Sequence, residues 1–144
     1  MKREYGLNSN PIIPKRLGSK KGVYFIMAKQ KNNLPLKIKR IAKVDENGIL
    51  YIGKTTHSLN TRLNHFKETY YKKSKSKTNS HSGAAILHKS TGLKKYLKEC
   101  TLFVKISLSN TPDQKEFKLL QSYLNEFGEL PPLNSNSSLI NSNK

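Results

Sequence analysis

One cysteine, two methionines and no tryptophan stand in this chain of 144 residues. A lone Cys100 excludes a disulfide framework and a cysteine metal cluster. It reads as a small buried hydrophobe ahead of a strand, in keeping with a reducing interior. Acid is scarce too, with nine Asp and Glu against 27 Lys and Arg, a formal net charge of +18 and a pI near 10.1. That field attracts polyanions, with nucleic acid the first candidate and an anionic membrane the second. No apolar run reaches membrane-spanning length, and residues 1 to 18 lack the apolar stretch of a secretory signal. A cytoplasmic protein with no membrane partner is expected.

What is present is arranged unevenly. Of the 27 cations, 23 precede position 101, whereas Asp113, Glu116, Glu126 and Glu129 fall in a later helical region. The length suits one domain with a modest core. Residues 1–21 mix Asn, Pro, Lys and Arg without periodicity and read as a basic arm that orders on a partner. Val23 to Ala28 is a dense run of β-formers with no polar face, as in a central strand. Residues 29–48 read as an insertion. Within it Leu36 to Lys43 partly alternates apolar with basic, and Lys37, Lys39 and Arg40 are candidate nucleic-acid contacts. Asp45-Glu46-Asn47-Gly48 is turn chemistry, so 36–43 and 49–54 are expected to form a hairpin.

Ile49 to Gly53 carries Tyr51 into a glycine, where another group can approach the backbone closely. Lys54 follows. Ser58 then caps a helix in which Leu59, Leu63, Phe66 and Tyr70 form an apolar stripe, flanked by Arg62 and His65. A tyrosine, a lysine, an arginine and a histidine thus converge at the edge of a strand–helix unit, a surface suited to a phosphodiester. His57 reads as an exposed loop residue. Lys72, Lys73, Lys75 and Lys77 lie in a serine-rich loop, either simply solvated or tracking phosphates. His81 opens a short helix, as a cap or as a secondary site residue.

Thr111, Pro112 and Gln114 mark a helix start. At 100° per residue, Phe117, Leu119, Leu120, Tyr123, Leu124 and Phe127 form one apolar arc, and Glu116 falls near its middle. A carboxylate aimed inward must meet a cation, a metal or a donor. Gln121, at the arc's edge, is a weaker ligand for a hard cation. The plainer reading is an acid favoured by the helix dipole. Gly128 ends the helix, Pro131-Pro132 stiffens the exit, and 136–144 reads as a disordered tail.

Tyr51-Ile52-Gly53, preceded by Gly22-Val23-Tyr24, resembles the two-part signature of the GIY-YIG nuclease family, with valine for the usual isoleucine. Arg62, His65, Glu116 and Asn134 follow in the family's order, so the resemblance covers residues 22–135. The gap between the tripeptides is longer than in compact members, and His65 follows Arg62 by three residues where four is commoner. The resemblance implies a metal-dependent endonuclease acting on DNA, a duplex in the first instance, as a monomer or homodimer. It implies that Glu116 holds one Mg²⁺ or Mn²⁺ and that Arg62 neutralises developing charge. Tyr24 and Tyr51 would place or deprotonate the attacking water, assisted by His65 and Lys54, with Asn134 orienting the site. A tyrosine acting as base needs a nearby cation to lower its pKa, which Lys54 or Arg62 could do. The rival classes are a non-catalytic basic module for DNA or structured RNA and a basic ribonucleoprotein component.

The expected fold is an α/β (α+β) sandwich. A small, mostly antiparallel sheet from residues 22–28, 36–43, 49–54 and 101–108 would be flanked by about three helices.

Overall fold

A strand without a polar face must be covered on both sides, and the stretch after Gly22 is. In the computed structural model, which describes residues 3–71 and 82–135, it forms β2 (Gly22–Lys29), with six of its eight residues buried. Two strands flank it, both antiparallel: β5 (Ile49–Thr55) and β6 (Thr101–Leu108). β1 (Tyr5–Gly6) pairs with the outer edge of β6, so the sheet order is β1-β6-β2-β5.

Alternation along β2 divides the interior in two. Tyr24, Ile26 and Ala28 join a core with Leu59, Leu63 and Phe66 of α2 (Leu59–Tyr71). Val23 and Phe25 join a second core with Ile52 and with Leu120, Tyr123 and Phe127 of α5 (Pro112–Phe127). The fold is therefore α+β, with α2 and α5 on opposite faces of the sheet. Three shorter helices complete the described set: α1 (Lys15–Gly18), α3 (Ser82–Lys89) and α4 (Thr91–Tyr96). None of the described helices is long and apolar enough to cross a membrane.

The expected helix boundaries hold closely. The Ser58 hydroxyl accepts from the Thr61 amide at 3.4 Å and its carbonyl from Arg62 at 3.1 Å, so α2 starts there. α5 begins at Pro112 and stops at Gly128, whose φ of 79° is the left-handed terminator. Thr111, however, makes no side-chain cap.

Two expectations fail. Segment 36–43 is not in the central sheet and does not pair with β5. Instead β3 (Ile38–Lys39) pairs with β4 (Val44–Asp45) in a separate two-stranded ribbon. Long-range bonds hold the ribbon away, because the Ala42 amide donates to the Phe127 carbonyl at 2.9 Å and the Ile41 amide to Glu129 at 2.8 Å. The turn after it is real but differently used. Buried Asp45 accepts from the amides of Asn47 and Ile49 and from the Tyr123 hydroxyl. Gly48, at φ 70°, packs so tightly on the end of β2 that a Cβ would lie 2.6 Å from the Ala28 carbonyl oxygen.

Residues 1–21 are not an arm over the part described. Leu7, Ile12 and Ile13 are in the main core, at 1, 2 and 0 % exposure. Asn60 of α2 grips the segment as a second backbone would, accepting from the Ile13 amide at 3.0 Å and donating to its carbonyl at 2.8 Å. Aperiodic apolar residues among polar ones carry no strand or helix signal, yet each fills a place in the core. The loop of residues 72–81 and the tail of 136–144 lie outside the described residues.

Candidate active site

Gly53 is the floor of the site. It faces Tyr24 across the β2–β5 ladder, and a Cβ on it would lie 2.5 Å from both Cζ and the hydroxyl of Tyr24 and 2.6 Å from Cε2 of Tyr51. Only glycine leaves room for both phenols to lie over the strand. Their ring centroids are 6.1 Å apart at an interplanar angle of 36°.

Arg62 enters from α2, one turn inside the helix. Its partly buried guanidinium hydrogen-bonds the Tyr24 hydroxyl, and Glu116 of α5 is close enough to act on the same phenol electrostatically. Glu116 is 6 % exposed, in line with buried Pro112, Leu120, Tyr123 and Phe127 along one side of α5. The sequence places it inward, and it is inward. The two helices lie on opposite faces, so the cluster of Tyr24, Tyr51, Arg62 and Glu116 gathers around the β2–β5 side of the sheet.

Tyr24 is fully buried, and its pKa is pushed well above the usual phenol range. Burial is the main cause and the neighbouring Tyr51 adds to it; Arg62 pulls the other way by charge and by its hydrogen bond, and Glu116 pushes up again. The expectation that a nearby cation lowers it is overturned for Tyr24, because desolvation outweighs the guanidinium. A neutral phenol accepting from Arg62 holds that guanidinium in place. Of the four, Arg62 is half-buried, whereas Tyr51 and Glu116 are buried at 8 and 6 % exposure.

The other sequence candidates fall into place around this cluster or away from it. Lys54 is ion-paired with Asp113, in the first turn of α5. Asn134 binds both sides of one residue: its Oδ1 accepts from the Ile52 amide and its Nδ2 donates to the Ile52 carbonyl, each at 2.9 Å. Its amide is thereby committed to holding β5 between Tyr51 and Gly53. His65 is half-buried one turn beyond Arg62, and the interactions that tie Tyr24 to its three neighbours do not include it. Gln121 reaches along its own helix to Asn125 at 3.4 Å.

Of the candidate nucleic-acid contacts, Lys37 and Lys39 are exposed on the ribbon. Arg40 is not available: its guanidinium pairs with Glu129 at 2.8 Å and donates to the Leu130 carbonyl at 2.7 Å, with 13 % of the side chain exposed. It fastens the ribbon to the end of α5. Lys72, Lys73, Lys75, Lys77 and His81 lie outside the described residues. Asp113, the partner of Lys54, and Asn60 were not singled out by the sequence. Asp113 has a local signal, an acid in the first turn of a helix; Asn60 has none, because its partner is 47 residues away.

Among the described residues no three His, Cys, Asp or Glu side chains gather to hold a metal ion. An ion at Glu116 would rest on that one carboxylate, with water and ligand oxygens completing its shell. That donor set fits Mg²⁺ or Mn²⁺, hard ions that keep much of their water and bind through one or two carboxylates plus phosphate oxygens. No protein-family profile, curated protein or solved structure matches this chain.

Proposed function

We propose that this protein is a metal-dependent endodeoxyribonuclease of the GIY-YIG type, hydrolysing phosphodiester bonds in DNA. One observation carries the reading: four residues distant in sequence, Tyr24, Tyr51, Arg62 and Glu116, meet beside one glycine of an edge strand. Hydrolysis of a phosphodiester needs charge stabilisation at the pentacoordinate phosphorus, a placed water and help for the departing oxygen. Arg62, held by Tyr24, presents a planar fork to the non-bridging oxygens. Tyr51 orients the attacking water. Glu116 is the ligand for Mg²⁺ or Mn²⁺, and such an ion supplies Lewis-acid stabilisation of phosphate and leaving oxygens when bound. Asn134 keeps β5 in register beneath them, while Lys54 and His65 add positive or hydrogen-bonding surface at the rim. The formal charge of +18 brings the polyanion in.

The test is turnover. Purified protein with supercoiled plasmid and Mg²⁺ is expected to nick the DNA, and chelator to stop it. Glu116→Gln and Arg62→Ala, each with an unchanged circular-dichroism spectrum, are expected to lower the rate by about 10²–10³-fold. Tight, salt-sensitive binding without any metal-dependent cleavage would instead identify a binding module for DNA or structured RNA.

A further inference from the structure

Beyond the tyrosines, the sheet ends in an open groove of about 550 Å³, lined by Ser19, Lys20, Lys21, His57, Leu108, Ser109 and Asn110. No carboxylate lines it. Its two lysines join no ion pair among the described residues, whereas Lys29, Lys31, Arg40, Lys43 and Lys54 are each paired with an acid. The groove is built on rigid backbone. The Lys20 carbonyl accepts from the Leu59 amide at 3.0 Å, at the start of α2, and the Lys21 carbonyl from the Ser109 amide at 3.4 Å, just after β6. With the main chain held from both sides, the lysine side chains are exposed to solvent. Ser109 and Asn110 add short polar side chains, and His57 a ring whose Nδ1 lies 3.2 Å from the Thr56 hydroxyl.

Position gives this feature its meaning. Lys21 immediately precedes β2, three residues before Tyr24, and Gly22 pairs with both Thr55 and Leu108. At about 3.3 Å per residue the groove begins roughly 10 Å from the Tyr24–Arg62 cluster. Phosphates of one B-DNA strand rise about 3.4 Å each along the helix axis but also wind around it, so the through-space step is roughly twice the rise and this distance spans about one to two linkages.

We propose that this groove holds the sugar–phosphate backbone of the cleaved strand about one to two linkages from the scissile phosphate, with Lys20 and Lys21 neutralising two phosphates. It rests on the nuclease reading for the identity of the strand. Its consequence is register: the strand is pinned at the groove and cut at Arg62, so the groove sets where the bond falls.

The experiment measures binding, so it does not depend on turnover. A short labelled DNA duplex is titrated with the full chain carrying Glu116→Gln, in chelator, across a salt series. Lys20→Ala/Lys21→Ala is compared with Lys94→Ala/Lys95→Ala, which removes the same charge from exposed positions on α4. The groove variant is expected to flatten the slope of log K against log salt by about 1.8, the value for two phosphates, and to weaken binding about tenfold or more at low salt. The α4 variant should change both by less than half as much. Neutral methylphosphonate linkages scanned along the duplex should weaken the parent at discrete positions and leave the groove variant unaffected there. Equal losses in the two double variants, or a flat scan, would overturn the groove. A groove effect in a protein that never cleaves plasmid would uphold the groove and overturn the nuclease.

Discussion

Gly53 shows how much depends on an absent methyl group. A Cβ there would lie 2.5 Å from Tyr24 and 2.6 Å from Tyr51, and neither ring can retreat easily, because Tyr24 is fully buried and Tyr51 is 8 % exposed. Gly53→Ala is therefore expected to destabilise the protein by about 1–3 kcal/mol, as overpacking does, and to lower cleavage more than a stability loss of that size explains. Thermal melts and single-turnover rates on the same preparation check both. The tripeptide containing Gly53 was visible in the sequence as part of a signature. That its role is to seat two phenols was not, because the second ring comes from the neighbouring strand. Glu116 was legible for a different reason: helical periodicity alone puts it inside the apolar arc. Tyr24 was only half legible, since its position can be read locally but its burial cannot.

The elements divide in the same way. β2, β6, α2 and α5 were recognisable because each carries its own pattern: an unbroken apolar run, a stripe, a Pro start or a Gly stop. Segment 36–43 is recognisable as strand-like, but only Ile38–Lys39 forms a strand, and its partner is Val44–Asp45, in residues that read as the approach to a turn, not 49–54. The ribbon's place is decided at the far end of α5, where Arg40, Ile41 and Ala42 bind Glu129, Leu130 and Phe127. This separates three neighbouring cations by function. Arg40→Ala removes a guanidinium from a carboxylate and a backbone carbonyl, and is expected to cost about 2–3 kcal/mol in chemical denaturation. Lys37→Ala/Lys39→Ala, at exposed positions, is expected to leave the denaturation midpoint unchanged within error. An Arg40→Ala protein of undiminished stability would show that the ribbon is held by other contacts.

At the scale of the whole molecule, burial of ionisable groups links stability to pH. Tyr24 and Tyr123 both have pKa values raised above the free phenol, Tyr24 chiefly by burial and Tyr123 by burial together with its bond to Asp45. A raised phenol pKa keeps the proton on the folded state, so its contribution is intact below about pH 10, where an unfolded tyrosine titrates. Above that the unfolded chain loses protons that the folded chain retains, and stability falls by about 1.4 kcal/mol per pH unit for each such group. Melting temperature is expected to be insensitive to these two residues at neutral pH and to drop steeply above pH 10. In Tyr123→Phe the alkaline slope should be shallower by one group. An equally steep slope in that variant would assign the alkaline loss to lysine deprotonation instead.

The residues alone determined the chemistry at hand: a strongly basic chain, two strand tyrosines, an arginine on a helix flank and a carboxylate turned inward. Each follows from composition or from a repeat of two or 3.6 residues, which neighbours in sequence are enough to establish. Tertiary structure decided which strand lies beside which, that the N-terminal segment belongs to the core, and that Arg40 is a fastener. It also decided that Tyr24 keeps its proton beside a guanidinium. These depend on contacts between distant parts of the chain and on how much water those contacts exclude, and exclusion of water belongs to the packed assembly, not to any one stretch of it.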